Sequence, residues 1–311
     1  MIYGSADLSD GICIEMIRFE TDVTPAVLDV MKRTDDPRLR TILESLVRHL
    51  HGFVREVRLT EEEFRDATAI INELGKLSTD SQNETVLMAG SLGVSSLVCL
   101  LNNGENGQTE TSQNMLGPFW RLNSPHVENG GSIVRSPTPG PALFMAARVE
   151  DKDGKPIAEA EVDIWHSSPV GLYENQDSTQ ENFNLRGKFT TDADGRFWFR
   201  SVKPAGYPIP TNGVVGRLLA AQGRHPYRPA HVHALIFKPG YKTLISQVYA
   251  DDDANLDSDV QFGVTQALVG HFDKHEEAHP RHPDAEPPWY SLNYTYVMEP
   301  GEAKLPRPPI K

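Results

Sequence analysis

The sequence predicts an α+β fold that is mainly β, with a helical N-terminal domain followed by a β-sandwich. Two observations predict it. Over the first hundred residues apolar side chains recur at three- and four-residue steps, which is typical of amphipathic helices. After Gly104 short β-rich runs alternate with turns that contain glycine and proline. Successive strands without helical segments between them favour a sandwich, and the predicted domains span residues 1–104 and 105–311.

Three helical segments are predicted in the N-terminal domain. The first runs from Pro37 to about Val57 and carries a continuous apolar stripe. Thr60 as N-cap and Glu63 three residues later form a capping box, which predicts the start of the second helix. The third helical stretch runs from about residue 84 to about residue 101.

Seven strands are predicted in the second domain, over the segments ALFMAARVE, AEVDIWHS, GKFTTD, RFWFRSV, AHVHALIFK, TLISQVYA and YTYVME. The turn sequences DKDGKP and DADG lie between some of them. A short helix is predicted within DVQFGVTQALVGHFDKH, and the proline-rich tail LPRPPIK is predicted to be extended or frayed.

Composition limits the classes of function. A net charge of −13 argues against sequence-independent nucleic-acid binding, which needs an excess of lysine and arginine. No apolar run reaches the roughly 20 residues of a membrane span, and the N-terminal MIYGSADLSDG lacks a basic and then apolar leader, so the expected location is the cytoplasm. The two cysteines, Cys13 and Cys99, form no CxxC pattern, so any metal is expected to have nitrogen and oxygen ligands.

Two histidines mark the strand within HPYRPAHVHALIFKPG. His231 and His233 share one face of an extended strand, whereas Val232 and Ala234 point the other way. The β-branched and apolar flanking residues predict that this strand is buried. Buried imidazoles need polar partners, so the pair either binds a metal or forms a hydrogen-bonded core pair.

Two tyrosines precede this strand in turn-like settings, Tyr173 in PVGLYENQD and Tyr207 in KPAGYPIPTNG. Taken singly, a tyrosine there is more often a surface or loop-packing residue. Their order before RPAHVH, together with LGPFWR, IWHSSPVGLYENQD, FNLRGKFTTDADGRF and VKPAGYPIP, resembles the intradiol aromatic-ring-cleaving dioxygenases over nearly the whole chain.

That resemblance implies one mononuclear, non-haem Fe(III) per subunit, held by Tyr173, Tyr207, His231 and His233 with a hydroxide as fifth ligand. The donor set is chemically sensible because Fe(III) is a hard cation that converts a phenol of pKa about 10 into phenolate. Two phenolates and one hydroxide cancel the metal charge, so a buried site avoids a large desolvation cost.

The resemblance also implies the reaction and the groups beside the metal. An ortho-diphenol and O2 would give a muconate-type dicarboxylate by ring opening between the two hydroxylated carbons. Tyr207 would act as ligand and general base, and Arg228 would stabilise developing negative charge. Gln247 matches a glutamine that lies near the oxygen-derived intermediate.

The segments YPIPTNGVVG and MLGPFW resemble the hydroxyquinol (1,2,4-trihydroxybenzene) branch, whose product is 3-hydroxy-cis,cis-muconate, the enol form of maleylacetate, in aromatic-compound catabolism. The implied pocket walls are Leu87, Leu116, Gly117, Pro118, Phe119, Ile209 and Pro210. Gly90 departs from the bulkier or acidic residue expected there. The missing volume predicts a wider pocket, which keeps catechol or a substituted catechol open as the substrate.

Other interpretations remain at this point. The chain could be a β-sandwich binding module without catalysis, or a structural zinc protein that uses His231 and His233. His271 and His275, four residues apart on the predicted helix, lack the full HExxH motif and are not favoured as a second metal site. His166 is expected to pack or hydrogen-bond near the site without binding iron. The resemblance also implies a homodimer through the apolar faces of the N-terminal helices. Some relatives hold a lipid at that interface, and the sequence leaves this open here.

Overall fold

The structure is a computed structural model that describes residues 16–79, 83–103, 108 and 110–309. The chain divides into two compact units, of which one ends at Ala69 and the other begins at Ile70. Cys13, the N-terminal segment used to predict location and the predicted domain boundary between residues 104 and 105 lie outside the described residues. That boundary stays a prediction.

The first unit is helical. It contains helix α1 (Glu20–Met31), helix α2 (Pro37–Val57) and the first part of helix α3 (Glu61–Leu77). The bounds of α2 are those predicted, and the capping box of α3 is confirmed because the Thr60 amide donates to Glu63 Oε2 at 2.8 Å and the Glu63 amide to Thr60 Oγ1 at 3.3 Å. Sequence analysis missed α1, which Arg55 ties to α2 through Glu20 Oε2 at 2.7 Å.

The third predicted helix is two helices. Helix α4 (Glu84–Ser91) and helix α5 (Val94–Asn102) meet at an angle of 77°. Gly93 makes the break with φ +72°, a left-handed conformation that costs glycine little. Among the described residues no single helix is long and apolar enough to cross a membrane, and only the bent pair α4 and α5 together meets that length and composition.

The second unit contains the predicted β-sandwich. One sheet has the strand order β10, β11, β1, β4, where β1 is Ala142–Asp151, β4 is Arg196–Val202, β10 is Phe272–His275 and β11 is Trp289–Met298. The other has the order β3, β2, β7, β8, β9, where β2 is Glu161–His166, β3 is Arg186–Thr190, β7 is His231–Phe237, β8 is Leu244–Ala250 and β9 is Val269–Gly270.

The core lies between the two sheets. Val162 and Ile164 of β2 pack there with Val232 of β7, and Leu143 and Phe199 of the facing sheet belong to the same buried cluster. Since side chains alternate along a strand, the odd-numbered residues of β7 point to the opposite face. This face of the five-stranded sheet carries the candidate site.

A third, two-stranded sheet of β5 (Tyr207–Pro208) and β6 (Tyr227–Arg228) flanks this face, and helix α6 (Val214–Ala221) lies between the two strands in sequence. Strands this short leave no periodic signal, so sequence analysis missed them. It also missed α6, whose Val215 amide donates to the buried Glu84 carboxylate at 2.9 Å.

The helix predicted within residues 259–275 is wrong. The chain forms a 3₁₀ turn at Gln266–Leu268 and then strands β9 and β10, because β10 pairs with β11. His271 therefore does not lie above His275 on a helix. His271 contacts Asp251 and Asp273, and His275 stacks on Trp289 with ring centroids 3.7 Å apart. Without that helix, the spacing of His271 and His275 gives no reason to expect a second metal site between them.

Candidate metal centre and substrate cavity

His231 and His233 lie on β7 and point away from the sandwich core. His233 stacks on Trp165 of β2, its registered neighbour, with ring centroids 4.6 Å apart and planes 8° apart. His231 Nδ1 lies 2.7 Å from the carbonyl oxygen of Pro229. Because a carbonyl only accepts, Nδ1 carries the proton and Nε2 presents its lone pair.

Two imidazole nitrogens and two phenol oxygens meet at this face. His231 Nε2 lies 3.1 Å from His233 Nε2, which lies 3.1 Å from Tyr173 Oη, and Tyr173 Oη lies 3.3 Å from Tyr207 Oη. All four side chains are buried, with exposed fractions of 4% or less. The fold thus brings together the four residues that the resemblance implied as ligands, although they come from three segments of the chain.

The two tyrosines are held by loop contacts. Tyr173 follows β2 in a turn, where its amide donates to Gln176 Oε1 at 3.0 Å and its ring stacks on Phe119 at 4.4 Å. Tyr207 opens β5 and pairs in register with Arg228 of β6. A glycine is needed nearby, because Gly117 has φ +75° and a Cβ there would lie 3.2 Å from His233 Cε1.

Burial keeps all four groups neutral in the protein alone. Desolvation raises the pKa of both Tyr173 and Tyr207, lowers that of His231 to about 3 and lowers that of His233 well below its usual value. A bound cation reverses this for the phenols, since it stabilises phenolate, and neutral imidazole is the form that binds metals.

The donor set fits a metal ion. Atoms bound to one cation at roughly 2 Å lie roughly 3 Å from each other, which is the spacing found here. Two phenol oxygens and two imidazole nitrogens suit a hard trivalent cation. In the described ranges no group of three or more His, Cys, Asp or Glu could hold a metal ion.

Arg228 lies beside this cluster in a buried network. Its guanidinium binds the Asp259 carboxylate with two contacts of 3.1 Å and also reaches Gln247 Oε1 at 2.9 Å and Tyr249 Oη at 2.5 Å. Burial raises the pKa of Asp259, but Arg228 and backbone amides outweigh it, so the pKa lies below its usual value. Arg228 therefore keeps a fixed positive charge at the site.

Gln247 acts on the site through its neighbours. Its Oε1 accepts from Arg228, and its Nε2 donates to the carbonyl oxygen of Met115 at 2.7 Å. It does not line the cavity described below. Sequence analysis missed Asp259 and Tyr249, because nothing in the sequence shows that their segments approach Arg228.

A second buried ion pair supports Tyr173. Arg186 of β3 binds Glu174, the residue after Tyr173, at 2.7 Å and donates to the carbonyl oxygen of Phe119 at 2.8 Å. Both charged side chains have exposed fractions of 2% or less. They stand in the quoted segments PVGLYENQD and FNLRGKFTTDADGRF, which contain other charged residues, so the sequence did not single out this pair.

His166 is confirmed as a packing residue. Its Nδ1 lies 2.7 Å from the carbonyl oxygen of Ser167 and its Nε2 lies 2.7 Å from Ser201 Oγ. Burial lowers its pKa to about 4. With both ring nitrogens occupied by protein partners, His166 has no free lone pair for a metal.

A cavity of about 420 Å³ opens onto the cluster. Tyr207 and Arg228 line its polar side. The rest of its wall includes the predicted pocket residues Leu87, Leu116, Gly117, Pro118, Phe119, Ile209 and Pro210, and Pro309 from the C-terminal tail. Residues 302–308 of the tail form neither helix nor strand.

Gly90 does not line the cavity, and the prediction that it widens the pocket is wrong. A Cβ at Gly90 would lie 1.8 Å from Gln261 Oε1, so the Gln261 side chain already fills the room. Gln261 lines the cavity in its place. The sequence did not show this, because 170 positions separate Gln261 from its partner Ser91.

Comparison with known proteins places this site in a family. A family model described as "Dioxygenase" matches residues 115–299, and one described as "Catechol dioxygenase N terminus" matches residues 36–110. The chain is 39% identical over 271 residues to a hydroxyquinol 1,2-dioxygenase from Rhizobium sp. (strain MTP-10005), covering 86% of this chain and 89% of that protein. It is 41% identical over 260 residues to an intradiol ring-cleavage dioxygenase from Aspergillus niger, covering 82% of each.

The fold has the same relatives. The crystal structure of hydroxyquinol 1,2-dioxygenase from Pseudomonas putida DLL-E4 superposes with a TM-score of 0.82 at 35% identity. The match covers 91% of this chain and 99% of that chain.

Breaking the Arg228 ion pair tests how the site is held. We expect Asp259→Asn to lower the free energy of unfolding by about 3–5 kcal/mol, because it leaves a buried guanidinium without its counter-charge. Urea denaturation followed by circular dichroism measures this, with Asp257→Asn on the exposed 3₁₀ turn Leu256–Ser258 as control. The control should change stability by less than about 0.5 kcal/mol.

Wild type and Asp259→Asn should also differ in how their stability depends on pH. Because the pKa of Asp259 is lowered in the folded state from 3.8, its contribution is present above that value and is lost as the pH falls through the lowered pKa. The stability difference between wild type and Asp259→Asn should therefore narrow below about pH 4. A stability difference that stays constant down to the pH at which the protein unfolds would contradict this role of Asp259.

Proposed function

The chain belongs to the intradiol ring-cleavage dioxygenases, and from this premise we propose that it opens the ring of hydroxyquinol with O2 at a mononuclear Fe(III) centre. Both oxygen atoms enter the product, and the bond between the two hydroxylated carbons breaks. The product of hydroxyquinol is then 3-hydroxy-cis,cis-muconate, the enol form of maleylacetate. The observation that carries the proposal is the convergence of two phenol oxygens and two imidazole nitrogens beside a cavity of about 420 Å³, which is large enough for an aromatic ring.

Tyr173, Tyr207, His231 and His233 would hold the iron. When bound, Fe(III) supplies Lewis acidity that favours the anionic form of an ortho-diphenol and prepares its ring for O2. The cluster offers no carboxylate ligand, and two phenolates leave only one positive charge of the ion to be balanced. A site of low net charge fits the burial of these four side chains, because a buried net charge would be costly.

Tyr207 is the ligand candidate that also lines the cavity. Its Oη is therefore in place to accept a proton from a substrate hydroxyl. Held as phenolate when the cation is bound, this oxygen carries the lone pair that takes up the proton. We assign Tyr207 the role of general base, and Tyr173, which lies behind it, a holding role.

Arg228 brings the positive charge that an anionic ring needs. It lines the cavity and is anchored by Asp259, Gln247 and Tyr249, so it does not have to reorganise when substrate charge develops. The apolar walls, with Phe119 and Ile209 at exposed fractions of 6% and 4%, exclude water from the same space. A planar aromatic ring matches this combination of flat apolar contacts and one fixed cation.

We propose a homodimer through the apolar face of α2. Side chains on this face are about half exposed in the chain described here: Leu39, Ile42, Leu46, Leu50 and Phe53. An apolar stripe along a 21-residue helix is large enough to need a partner. A second copy of the chain is the simplest occupant, since isologous dimers are the commonest assembly.

Iron binding tests the ligand set. We expect Tyr173→Phe, Tyr207→Phe and His233→Ala each to lower iron affinity by more than about tenfold, because each removes a donor atom. Iron content by mass spectrometry and the visible tyrosinate charge-transfer band measure this. Tyr227→Phe, exposed and next to Arg228, is the matched control and should keep both. A red, iron-loaded Tyr173→Phe/Tyr207→Phe double variant would overturn the ligand assignment, and a colourless wild type holding zinc would overturn the iron.

Substrate choice is measured by oxygen uptake of the iron-loaded protein. We expect kcat/KM for hydroxyquinol to exceed that for catechol by at least about tenfold, because the walls resemble the hydroxyquinol branch. The product is identified by its absorption and mass. Preference for catechol would reject hydroxyquinol as the substrate and leave the intradiol reaction in place, whereas no uptake with either would favour a binding module.

Sedimentation velocity tests the dimer. Wild type should sediment as a dimer, and Leu46→Lys should shift the equilibrium toward monomer, since it places a charge in the apolar face. Thr41→Lys adds the same charge on the other side of α2 and should leave the dimer intact. A wild-type protein that is monomeric at micromolar concentration would contradict the proposal.

A further inference from the structure

Gln261 and Gly90 form a matched pair between two distant segments. Gly90 is buried in α4, and it has an ordinary helical φ, so its backbone does not require glycine. The room that its missing side chain leaves is taken by the Gln261 carboxamide, since a Cβ at Gly90 would lie 1.8 Å from Oε1 and 2.7 Å from Cδ. Glycine is thus required here by the position of the amide.

The Gln261 amide is held in one orientation. Its Nε2 donates to Ser91 Oγ at 2.8 Å and lies 3.4 Å from the carbonyl oxygen of Leu87, both on α4. Its own backbone is anchored as well, because its amide donates to Asp259 Oδ1 at 3.2 Å. Asp259 is the carboxylate that holds Arg228, so the amide and the guanidinium share one support.

The Gln261 Oε1 oxygen has no donor among the residues that the structure describes. The side chain lines the cavity, yet its exposed fraction is only 5%. Other amides at the cavity are already engaged or exposed: Asn83 Oδ1 accepts from the Val86 amide and Gln176 Oε1 from the Tyr173 amide, and Asn175 is exposed. Gln261 Oε1 is not among the fully buried side-chain atoms that lack a partner, so it keeps accessible surface that a ligand in the cavity can reach.

We infer that Gln261 is a specificity-determining residue whose Oε1 accepts a hydrogen bond from a third hydroxyl group on the substrate ring. The inference rests on the proposed ring-cleavage function and names the group that selects a trihydroxylated ring over catechol. The two reacting hydroxyls belong to the side of Tyr207 and Arg228, whereas Gln261 is fixed to α4 beside Leu87, another wall residue. A ring that spans the cavity can meet both.

The test compares hydroxyquinol with catechol in wild type and Gln261→Leu. Leucine keeps most of the volume and removes the acceptor. We expect kcat/KM for hydroxyquinol to fall about ten- to hundredfold and that for catechol to change less than about threefold. Anaerobic calorimetry should show the same loss in the Kd of hydroxyquinol, which reports binding separately from turnover.

A second variant guards against a folding defect. Gly90→Ala leaves Gln261 in the chain but pushes its amide away, so it should lower the ratio of hydroxyquinol to catechol in the same direction. Gly75→Ala on α3, where a Cβ would meet nothing within 4 Å, is the matched control and should keep the wild-type ratio. A Gly90→Ala/Gln261→Ala double variant should lose no more discrimination than Gln261→Ala alone.

The outcomes separate the two proposals. If wild type cleaves neither diol when loaded with iron, the ring-cleavage function fails. If wild type prefers hydroxyquinol and Gln261→Leu keeps that preference, the function stands and the role of Gln261 is overturned. A wild-type preference for catechol also overturns it, since a free acceptor would then select no third hydroxyl.

Discussion

The close approach of four polar atoms on buried side chains is the constraint on which the rest of the second unit depends. Two imidazole nitrogens and two phenol oxygens lie 3.1–3.3 Å from their neighbours, on side chains that are almost wholly buried. Such an arrangement is costly unless geometry is fixed and a cation is supplied. Strand β7 fixes two of the groups by simple alternation, but the tyrosines stand on irregular segments that need support from elsewhere.

That support comes from buried charge. Glu174 and Arg186 bracket Tyr173, and Asp259 and Arg228 lie on the side of Tyr207. Buried ion pairs contribute little net stability compared with apolar packing. Removing one partner is nevertheless strongly destabilising, because the other charge is left buried without a counter-charge. Their use here is geometric, because each pair joins segments that are distant in the chain, and a guanidinium with several acceptors has few alternative positions.

The cavity wall shows that space left beside a helix can be filled by a side chain from a distant segment of the chain. In the sequence, Gly90 suggests empty space beside α4. In the structure the side chain of Gln261, from a loop distant in sequence, fills that space. The space that a side chain at Gly90 would occupy is filled by the amide of Gln261, on the loop that also carries Asp259. Shape is kept, and the chemistry offered to a ring in the cavity becomes that of a neutral, oriented acceptor.

Sequence alone determined what depends on local pattern. Period-two alternation placed His231 and His233 on one face, helical periodicity bounded α2, and the ordered motifs around Tyr173 and Tyr207 identified the family. Tertiary structure decided what depends on contacts between distant segments. It broke the third helix at Gly93, formed β10 where a helix was predicted, and brought Asp259 and Gln261 to the site. These choices follow from pairing and packing energies, which a local pattern does not contain.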